Sequence, residues 1–569
     1  MPSERPWFKK KRFLVPSVLI MIAGILIILY AADTYVPAPP VTDASPLLYH
    51  VTEPEPGFRV CDSSWLQHST SGLWEMYIQG SPFERGVVNG KLTHDLIVTQ
   101  EEAFIAQIRK MIPSPAYLKF LKYFIYWFNR DLDEHLTDEY KQEIYGISFS
   151  ASERFNFIGR PYQRMMNYHS AHDIGHALQD LALVGCTSFG AWDSSTTDSS
   201  LIIGRNFDFY MGEEFAKNKI VCFERPDSGY AFMMVTWPGM AGTVSGMNMR
   251  GLTVTINAAK SEIPWSARTP ISLLAREILQ YAANIKEAYD IALTRETFVS
   301  ESILIGSAMD HKAAIIEKAP LKPVLVLPHE DMIICANHYR SEDFKNDPMN
   351  LRNIKESSSM YRYRRMEQLI GNASPLDVTG AAAILRDRGG LSGKDIGMGN
   401  EKAVNQLIAH HSVIFLPERR LVWVSSGPWQ SGSYICYDLN KIFNNFASIQ
   451  QRTEIEEAEL NIPSDSFLGT TGYVKFLLYK DRRDSVRQIL GKGDPAGLSR
   501  SFMDELTELN PGFYEGYKLA AELSERNGDT ETAIRYYSEA LKHEIPTLTE
   551  REEIIRKMSR CIVEMKRER

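Results

Sequence analysis

The chain contains few cysteines for its length and no large excess of either charge. Six cysteines in 569 residues are too few for the disulfide framework that small secreted domains use in place of a large core. The net charge is −8 and no polybasic run follows the first dozen residues, which excludes a surface built to bind nucleic acid. Hydrophobic residues make up 44% of the chain, enough for about two to four domains with large cores.

Residues 13–32 form a run without a charge, FLVPSVLIMIAGILIILYAA, directly after the basic segment KKKR. A helix of that length spans roughly 30 Å, the thickness of bilayer hydrocarbon. A cleaved signal peptide would have a shorter apolar core and a small residue at the −3 position, where Tyr30 stands. We therefore expect a single uncleaved transmembrane anchor. Its basic flank, residues 1–12, is expected in the cytoplasm and the body of the chain outside it, in the periplasm if the source is bacterial.

That location would permit one or two disulfides, and the sequence does not select a pairing among Cys61, Cys222, Cys335, Cys436 and Cys561.

Changes between strand-like and helical sequence patterns divide the rest of the chain into segments. Short strand-like runs are followed by helical patterns up to the glycine before Cys186. After Cys186, β-rich runs alternate with turns and are interrupted by two helical patterns, at 272–293 and 358–370, which favours an α+β layered domain. The predicted segments are a stiff proline-containing linker (33–56), a pro-segment (57–185), a catalytic domain (186–440), a connecting region (441–500) and a helical tail (501–569).

One helical pattern of the pro-segment, PAYLKFLKYFIYWFNRDL, is strongly aromatic. Such a stripe is usually the core-facing side of a helix. The alternative is a surface that faces lipid or binds an acyl chain. The aromatic residues are Tyr117, Phe120, Tyr123, Phe124, Tyr126, Trp127 and Phe128.

The tail contains a pattern, residues 510–547, that resembles one tetratricopeptide helical hairpin with its turn at Gly528 and Asp529. There is no clear second copy. One repeat cannot bury its apolar face alone, so we expect it to pack on flanking helices or on the catalytic domain. Such a tail could recruit a protein partner.

Cys186, in the stretch LVGCTSFGAWD, has four interpretations. It could be a small buried hydrophobe, which is the commonest role of a free cysteine, or a disulfide partner. It could also be a thiol activated by a separate histidine, or an N-terminal nucleophile that self-cleavage exposes. Only the last interpretation accounts for the glycine at position 185 and for the change from helical to β-rich patterns at this point. A glycine carbonyl is open to attack by the next thiol, and a new α-amino group, with a pKa of about 8, can serve as its base.

The stretch GCTSFGAWDSSTTDSSLIIGRNFDF resembles the start of the cysteine-type N-terminal nucleophile hydrolases. That superfamily includes choloylglycine hydrolase, penicillin V acylase and the acyl-coenzyme A:6-aminopenicillanate acyltransferase. Three later segments are similar to family segments in the same order: SGMNMRGLTVTINAA, CANHY and SSMYRYRRMEQL. The long segment before the cysteine, with GSPFERGVVNGKL, resembles the acyltransferase branch. The resemblance covers roughly residues 70–430 and implies a four-layer αββα sandwich.

The resemblance also implies roles for individual residues around the cleaved bond. Breakage of the Gly185–Cys186 bond would free the amino group of Cys186, whose thiol would attack the acyl carbonyl. Asp208 would hold that amino group, and Arg205 would orient the Asp208 carboxylate or the substrate. The structural alternative for Arg205 and Asp208 is a plain ion pair.

The remaining family positions concern charge on the substrate oxygen. Asn257 would contribute to the oxyanion hole, where one donor is worth about 3 kcal/mol at the transition state. Asn337 would also bind the oxyanion or would position the leaving group. The alternative for Asn257 is a strand-end residue that caps a turn. Arg362 would steady this network, and Arg365 is an equally spaced rival.

A histidine cluster lies shortly before the cleavage site, in YHSAHDIGHAL. His172 and His176 stand one helical turn apart, a spacing that can ligate zinc, with His169 and Asp173 close by. No glutamate follows His172, as a zinc-protease helix would require. We expect these residues to cap the helix that leads to Gly185, and we predict neither a metal nor a cofactor.

The sequence therefore predicts a membrane-anchored, self-processing amidohydrolase or acyltransferase that acts on a small acyl amide or acyl thioester. The aromatic helix and the anchor favour a lipophilic acyl group. The alternative is a catalytically inert, membrane-tethered scaffold that recruits a partner through its tail.

Overall fold

The computed structural model describes residues 34–170, 173, 185–261, 267–492 and 500–568, which form a mixed α+β fold as the sequence predicts. Its strands are β1 (Val51–Glu55), β2 (Phe58–Cys61), β3 (Ser64–His68), β4 (Trp74–Gly80), β5 (Thr187–Asp193), β6 (Ser199–Phe207), β7 (Ile220–Pro226), β8 (Phe232–Thr236), β9 (Ser245–Asn248), β10 (Leu252–Ala258), β11 (Glu301–Ser307), β12 (Lys312–Lys318), β13 (Pro323–Val326), β14 (Met332–Cys335), β15 (His411–Leu416), β16 (Leu421–Ser425) and β17 (Tyr434–Asp438).

The α-helices of the described residues are α1 (Pro82–Leu92), α2 (His94–Met111), α3 (Pro115–Phe128), α4 (Asp138–Ser148), α5 (Pro161–His169), α6 (Glu213–Lys217), α7 (Ile271–Tyr281), α8 (Ile285–Thr294), α9 (Pro348–Glu356), α10 (Ser359–Ala373), α11 (Val378–Leu385), α12 (Leu439–Asn445), α13 (Thr471–Lys492), α14 (Arg500–Leu509), α15 (Tyr514–Arg526), α16 (Thr530–Ala540) and α17 (Leu548–Glu568).

Two sheets form the centre of the molecule. The larger has eleven strands in the order β1-β2-β3-β4-β7-β8-β9-β10-β11-β12-β13, and the smaller has six in the order β14-β5-β6-β15-β16-β17. Strands β4 and β7 pair in parallel, from Trp74 opposite Ile220 to Gly80 opposite Pro226. Because β4 precedes Cys186 and β7 follows it, the larger sheet contains strands from both sides of the predicted cleavage site.

Buried apolar side chains fill three layers, because the two faces of each sheet point in opposite directions. Between the sheets lie residues such as Phe223 and Phe415. The outer face of the larger sheet packs under α1, α4 and α7, through Ile144 and Leu274 among others. The outer face of the smaller sheet is covered by α10 and α11, as at Met366. The start of β5, directly after the cleavage site, therefore lies inside a helix–sheet–sheet–helix stack.

The first helix of the pro-segment begins where the sequence signals it. Pro82 occupies its first turn, and the Glu84 carboxylate accepts a hydrogen bond from the Ser81 N–H at 3.2 Å. Its Gly86 then lies against the backbone of α4, since a Cβ at that position would stand 2.0 Å from the Glu143 carbonyl oxygen. The two helices are held at backbone contact.

The single helix predicted over 272–293 is wrong, because the segment forms two helices, α7 and α8. The backbone is extended at Ala282, and the Asn284 side chain accepts from the Glu287 N–H at 2.9 Å, which starts a new helix. The Asn248 amide donates to the carbonyls of Leu279 and Ala282, both at 2.8 Å, and so satisfies the end of α7.

The helical tail has its own apolar core, formed by helices α13 to α17, with Tyr479, Ala520 and Tyr537 fully buried. The hairpin of α15 and α16 packs on these flanking helices, and Leu407 from the preceding domain joins the same core. Helix α13 begins at Thr471, inside the segment predicted as a connecting region. The assignment of the hairpin to the tetratricopeptide class stays a prediction.

The aromatic stripe on α3 is mostly exposed, so its interpretation as a core face is wrong. Tyr117, Phe120, Tyr123 and Trp127 are 43–59% exposed, whereas Phe128 is buried. Phe124 and Phe128 pack against the main core, so the stripe has an exposed part and a buried part.

The predicted anchor at 13–32 lies outside the described residues, and none of the helices within them has the length and apolar character to cross a bilayer. All six cysteines are described, and each is a buried free thiol. The disulfides that the sequence permitted are therefore absent.

Candidate active site

The hairpin of β5 and β6 brings the predicted cleavage site against the end of β6. Thr187 pairs with Asn206, and the Gly185 N–H donates to the Asp208 carbonyl oxygen at 3.0 Å. Cys186 lies between these two pairs and is fully buried, as is Asp208. The hairpin register thus brings the thiol and the Asp208 backbone together.

The Arg205 guanidinium lies against the sulfur. Its Nη2 is 3.8 Å from Cys186 Sγ, and the same group donates to the carbonyl oxygens of Ile256 and Val244 and to Ser245 Oγ. Within the described residues no hydrogen bond or salt bridge joins Arg205 to the Asp208 carboxylate. Arg205 therefore contacts the thiol directly and influences the Asp208 carboxylate only through its charge.

Burial controls the ionisation of Cys186. It raises the pKa of the thiol to about 12, a shift that Arg205 opposes and that Asp208 and Glu301 reinforce. At neutral pH the thiol of the uncleaved chain is protonated. A base must reach it before it can act as a nucleophile.

The Asp208 carboxylate has an unused acceptor. Its Oδ2 accepts from Gln406 Nε2 at 3.4 Å, whereas its buried Oδ1 has no hydrogen-bond partner among the described residues. Burial raises the pKa of Asp208 to about 7, opposed by the charges of Arg362 and Arg205. A donor that arrived beside Oδ1 would satisfy it.

Asn337 and Arg362 are linked side chain to side chain. Arg362 Nη2 donates to Asn337 Oδ1, and Nη1 donates to the Glu401 carbonyl oxygen at 2.7 Å. Asn337 Nδ2 in turn donates to the Ala258 carbonyl oxygen at 3.0 Å. Since Arg362 fixes the amide oxygen, the remaining Nδ2 hydrogen of Asn337 has a set direction.

Arg365 belongs to a different contact. From α10, it donates to both carboxylate oxygens of Asp387, at 2.8 and 2.9 Å. The charge of Arg362, and not that of Arg365, acts on Asp208. Arg362 is therefore the arginine that adjoins the site.

Asn257 ties the larger sheet to the smaller one. Its Oδ1 accepts from Ser188 Oγ at 3.1 Å, and its Nδ2 donates to the Cys335 carbonyl oxygen at 3.1 Å. It is fully buried on β10 and does not cap a turn. One Nδ2 hydrogen is used in this bridge, so at most one other can serve the oxyanion role that the resemblance implies.

Two features of the site carry no sequence motif. Gln406 Nε2 donates to the Gly185 carbonyl oxygen at 2.8 Å, from a loop with no recognisable pattern. Behind Arg205, Ser245 Oγ contacts His411 Nε2 at 2.8 Å, and His411 Nδ1 contacts His410 Nδ1 at 2.9 Å. Burial and nearby cations lower the pKa of both histidines, which are neutral. In the sequence, the only visible sign of either feature is that His410 and His411 are adjacent.

The described part of the histidine cluster is already bonded. His169 Nε2 accepts from the Ala241 N–H at 2.9 Å, and Nδ1 lies 2.8 Å from the Met165 carbonyl oxygen. Asp173 Oδ2 accepts from the Ile271 N–H at 2.9 Å. His172 and His176 lie outside the described residues. Neither ring nitrogen of His169 is available to a metal.

A small cavity is lined in part by Phe209, the residue after Asp208. Its lining is mainly apolar and comes from both sides of the predicted cut. It includes Ile97, Phe104 and Met165 of the pro-segment and Phe209, Phe215 and Trp237 of the catalytic segment. The cavity suits an apolar group.

Comparisons with known proteins bear on this geometry. Residues 195–427 match the family model of the acyl-coenzyme A:6-aminopenicillanic acid acyl-transferases. The match begins after Cys186 and includes the positions of Arg205, Asp208, Asn257 and Asn337. It supports the N-terminal nucleophile hydrolase superfamily.

Two curated relatives match parts of the chain. An uncharacterised protein of Archaeoglobus fulgidus is 23% identical over 307 residues, which cover 47% of this chain and 50% of that protein. The N-acylethanolamine-hydrolyzing acid amidase of Caenorhabditis elegans is 24% identical over 233 residues, which cover 38% of this chain and 59% of that protein. The chain thus spans between half and three fifths of these two relatives.

Among solved structures, a variant of the conjugated bile acid hydrolase of Clostridium perfringens has a TM-score of 0.31 and 12% identity. The alignment covers 48% of this chain and 98% of that one. One of the two curated relatives is thus named as an amidase, and the matching family model is that of an acyltransferase.

Proposed function

We propose that this protein is a self-processing N-terminal nucleophile amidase or acyltransferase whose nucleophile is Cys186. The observation that carries the proposal is the placement of the buried Gly185–Cys186 bond. Arg205 touches the sulfur, and a carboxylate oxygen of Asp208 that has no partner in the described part of the chain lies just after the neighbouring strand. A buried acceptor without a partner is costly, and a new ammonium group would satisfy it.

Cleavage of the Gly185–Cys186 bond converts the site to its working form. The freed amino group takes the proton of the Cys186 thiol and donates to Asp208 Oδ1. The thiolate, favoured by the charge of Arg205, then adds to the acyl carbonyl of the substrate. The amide N–H groups of Asn337 and Asn257 are the proposed donors to the oxyanion, and Arg362 keeps Asn337 in place.

The proposed substrates are small acyl amides or acyl thioesters with an apolar acyl group. Two observations support this class: the apolar cavity lined in part by Phe209, and the exposed aromatic residues of α3. Such a face suits contact with a lipid surface, together with a membrane anchor at 13–32 and an extracytoplasmic catalytic domain. Fatty-acid ethanolamides and bile-acid conjugates are the first substrates to test, given the names of the relatives.

Replacement of Cys186 separates this proposal from an inert scaffold. Purified wild-type protein is expected to give two chains, residues 1–185 and 186–569, on denaturing electrophoresis. C186A is expected to give one chain with no turnover of any acyl amide. N-terminal sequencing must then begin at Cys186, and mass spectrometry of a trapped acyl-enzyme would identify the acyl group. An active wild type with an intact Gly185–Cys186 bond would overturn the proposal.

Water and an amine compete for the same acyl-enzyme in this scheme. Product analysis with a labelled amine present measures how much of the acyl group is transferred rather than hydrolysed.

A further inference from the structure

Gln406 makes a contact with the cleavage site that the mechanism above does not use. Its Nε2 donates to the Gly185 carbonyl oxygen at 2.8 Å and to Asp208 Oδ2 at 3.4 Å. Both neighbours are acceptors, so the nitrogen and not the oxygen of the amide faces them. The side chain is 2% exposed. Within this buried site the amide is therefore oriented toward the carbonyl of the bond to be broken.

The loop that carries Gln406 is held on both sides. The Asn405 N–H donates to the Asp387 carbonyl oxygen at 2.8 Å, and the Asn405 side chain accepts from the Leu407 N–H at 2.9 Å. Leu407 has a φ of 55°, a left-handed conformation that a leucine adopts only when its surroundings impose it. The donor is thus in place before reaction, which makes it effective at a developing charge.

Gly185 is the residue that admits this contact. A Cβ at position 185 would stand 2.4 Å from Gln406 Nε2, closer than side chains ever approach. The glycine therefore serves two purposes: it leaves its carbonyl carbon open to the thiol, and it leaves space for the donor on its carbonyl oxygen.

We propose that Gln406 is a catalytic residue for self-cleavage, in which its amide N–H stabilises the oxyanion formed on the Gly185 carbonyl oxygen. This proposal rests on the proposed function, because it requires attack by Cys186 on the preceding peptide bond.

Self-cleavage of the Gly185–Cys186 bond consumes water and no other reactant. Sγ bonds to the Gly185 carbonyl carbon and the electron pair moves to the oxygen that Gln406 contacts. Collapse breaks the bond to the Cys186 nitrogen, which keeps the electron pair and takes the proton released by the thiol. The product is a thioester with a free amine. Water then adds to the thioester, its hydroxyl stays on the carbonyl carbon as the Gly185 carboxyl group, and its other proton returns to sulfur.

The test uses the full-length chain and follows processing during synthesis, by pulse labelling and denaturing electrophoresis. Q406M removes the donor at similar volume and is expected to slow the appearance of the two fragments by about 100-fold, the loss typical of one oxyanion donor. Circular dichroism and thermal unfolding must show that Q406M is folded. A folded Q406M that cleaves at the wild-type rate would overturn the proposal.

Q406E provides a second readout if Q406M does not fold. A carboxylic acid can donate to the oxyanion and a carboxylate cannot, so the ratio of the Q406E to the wild-type cleavage rate should rise as the pH falls. A ratio that does not change with pH would contradict the proposed role.

The outcome separates the two proposals. A wild type that never cleaves would overturn both. A wild type that cleaves, with a folded Q406M that cleaves equally fast, would overturn only the role of Gln406.

Discussion

Arg362 and Arg365 lie on the same buried side of α10 but serve different neighbours. Arg362 connects Asn337 with the Glu401 carbonyl oxygen, next to the catalytic segment. Arg365 pairs with Asp387 through its Nε and Nη2 atoms. The sequence alone did not distinguish them, because both stand at helical positions that face inward.

Lysine substitutions at these two positions should affect different properties. R362K should mainly lower activity, and R365K should mainly lower stability. A lysine at 362 can reach only one of the two acceptors, which frees Asn337, so R362K should lower kcat/KM of the processed enzyme about 10- to 100-fold. R365K keeps its charge next to Asp387 and should leave kcat/KM within about 2-fold, at a stability cost of about 1–2 kcal/mol. Steady-state kinetics and thermal unfolding of both variants measure this. Equal losses of kcat/KM would contradict the assignment of Arg362 to the site.

Glu75 is a buried carboxylate that joins the two sheets. Its oxygens accept from Gln67 Nε2 at 2.7 Å and from the Tyr437 hydroxyl at 2.8 Å. Burial nevertheless raises the pKa of Glu75 to about 7, because these two hydrogen bonds do not replace the lost water.

The raised pKa predicts how E75Q changes stability with pH. The unfolded chain releases the Glu75 proton near pH 4.5 and the folded chain near 7, so folding loses stability as the pH rises through that window and stays lower above it. A neutral amide avoids this loss. The stability of E75Q relative to wild type should therefore increase as the pH rises from 4.5 to 8, by on the order of 3 kcal/mol. Tm values at pH 5 and pH 8 test this, with E508Q on an exposed face of α14 as the control. An advantage that is equal at both pH values would count against a pKa near 7.

At the level of secondary-structure elements, the crossing of α1 and α4 organises the helical side of the larger sheet. A Cβ on Gly146 would stand 2.6 Å from the Phe83 carbonyl oxygen and 2.6 Å from the Val87 nitrogen. The same crossing brings Arg85 of α1 to 2.9 Å from Glu143 of α4. Gly86 and Gly146 each lie against the backbone of the other helix. They therefore set the distance between the buried charges of Arg85 and Glu143.

A methyl group at this crossing should push the helices apart. We expect G146A to lower the free energy of unfolding by at least about 2 kcal/mol, since the neighbouring atoms are backbone and cannot turn away. G371A is the matched control, because Gly371 lies in α10 with nothing within 4 Å of its Cβ position. It should stabilise by roughly 0.5–1 kcal/mol, the usual gain of alanine over glycine in a helix. Denaturant unfolding of both variants measures the difference, and a neutral G146A would contradict the close crossing.

The elements that the sequence predicted well are those with a local signal. The β-rich segment after Cys186 and the mixed α+β class both follow from residues near one another in the chain. The break at Ala282 has a local cause, the Asn284 cap on Glu287, and a distant one that no local pattern reveals: Asn248, on β9, binds the carbonyls that end α7. Gln406 was missed for the same reason, since its partner Gly185 is joined to it only by the fold.

At the scale of the whole molecule, the predicted cut divides a sheet rather than a linker. Strand β4 pairs with β7 across it, and Arg85 reaches Glu224 at 2.8 Å in a fully buried salt bridge. The Trp65 indole also donates to the Phe446 carbonyl oxygen at 2.9 Å. If the Gly185–Cys186 bond is cut as proposed, these contacts would hold the two chains together without a covalent bond between them.

Unfolding should therefore reveal cleavage even though the native particle does not change. In the processed wild type, unfolding releases two chains, so its Tm should rise with protein concentration by mass action. In C186A the chain stays whole, and its Tm should not depend on concentration. A wash in 1 M NaCl, where screening acts beyond about 3 Å, should not remove the chain of residues 1–185 from a protein held by a C-terminal tag, because the contacts are buried. Calorimetry over a hundredfold range of concentration tests the first expectation. A Tm that is constant for both proteins, or loss of the N-terminal chain in salt, would show that the two chains do not share one folded core.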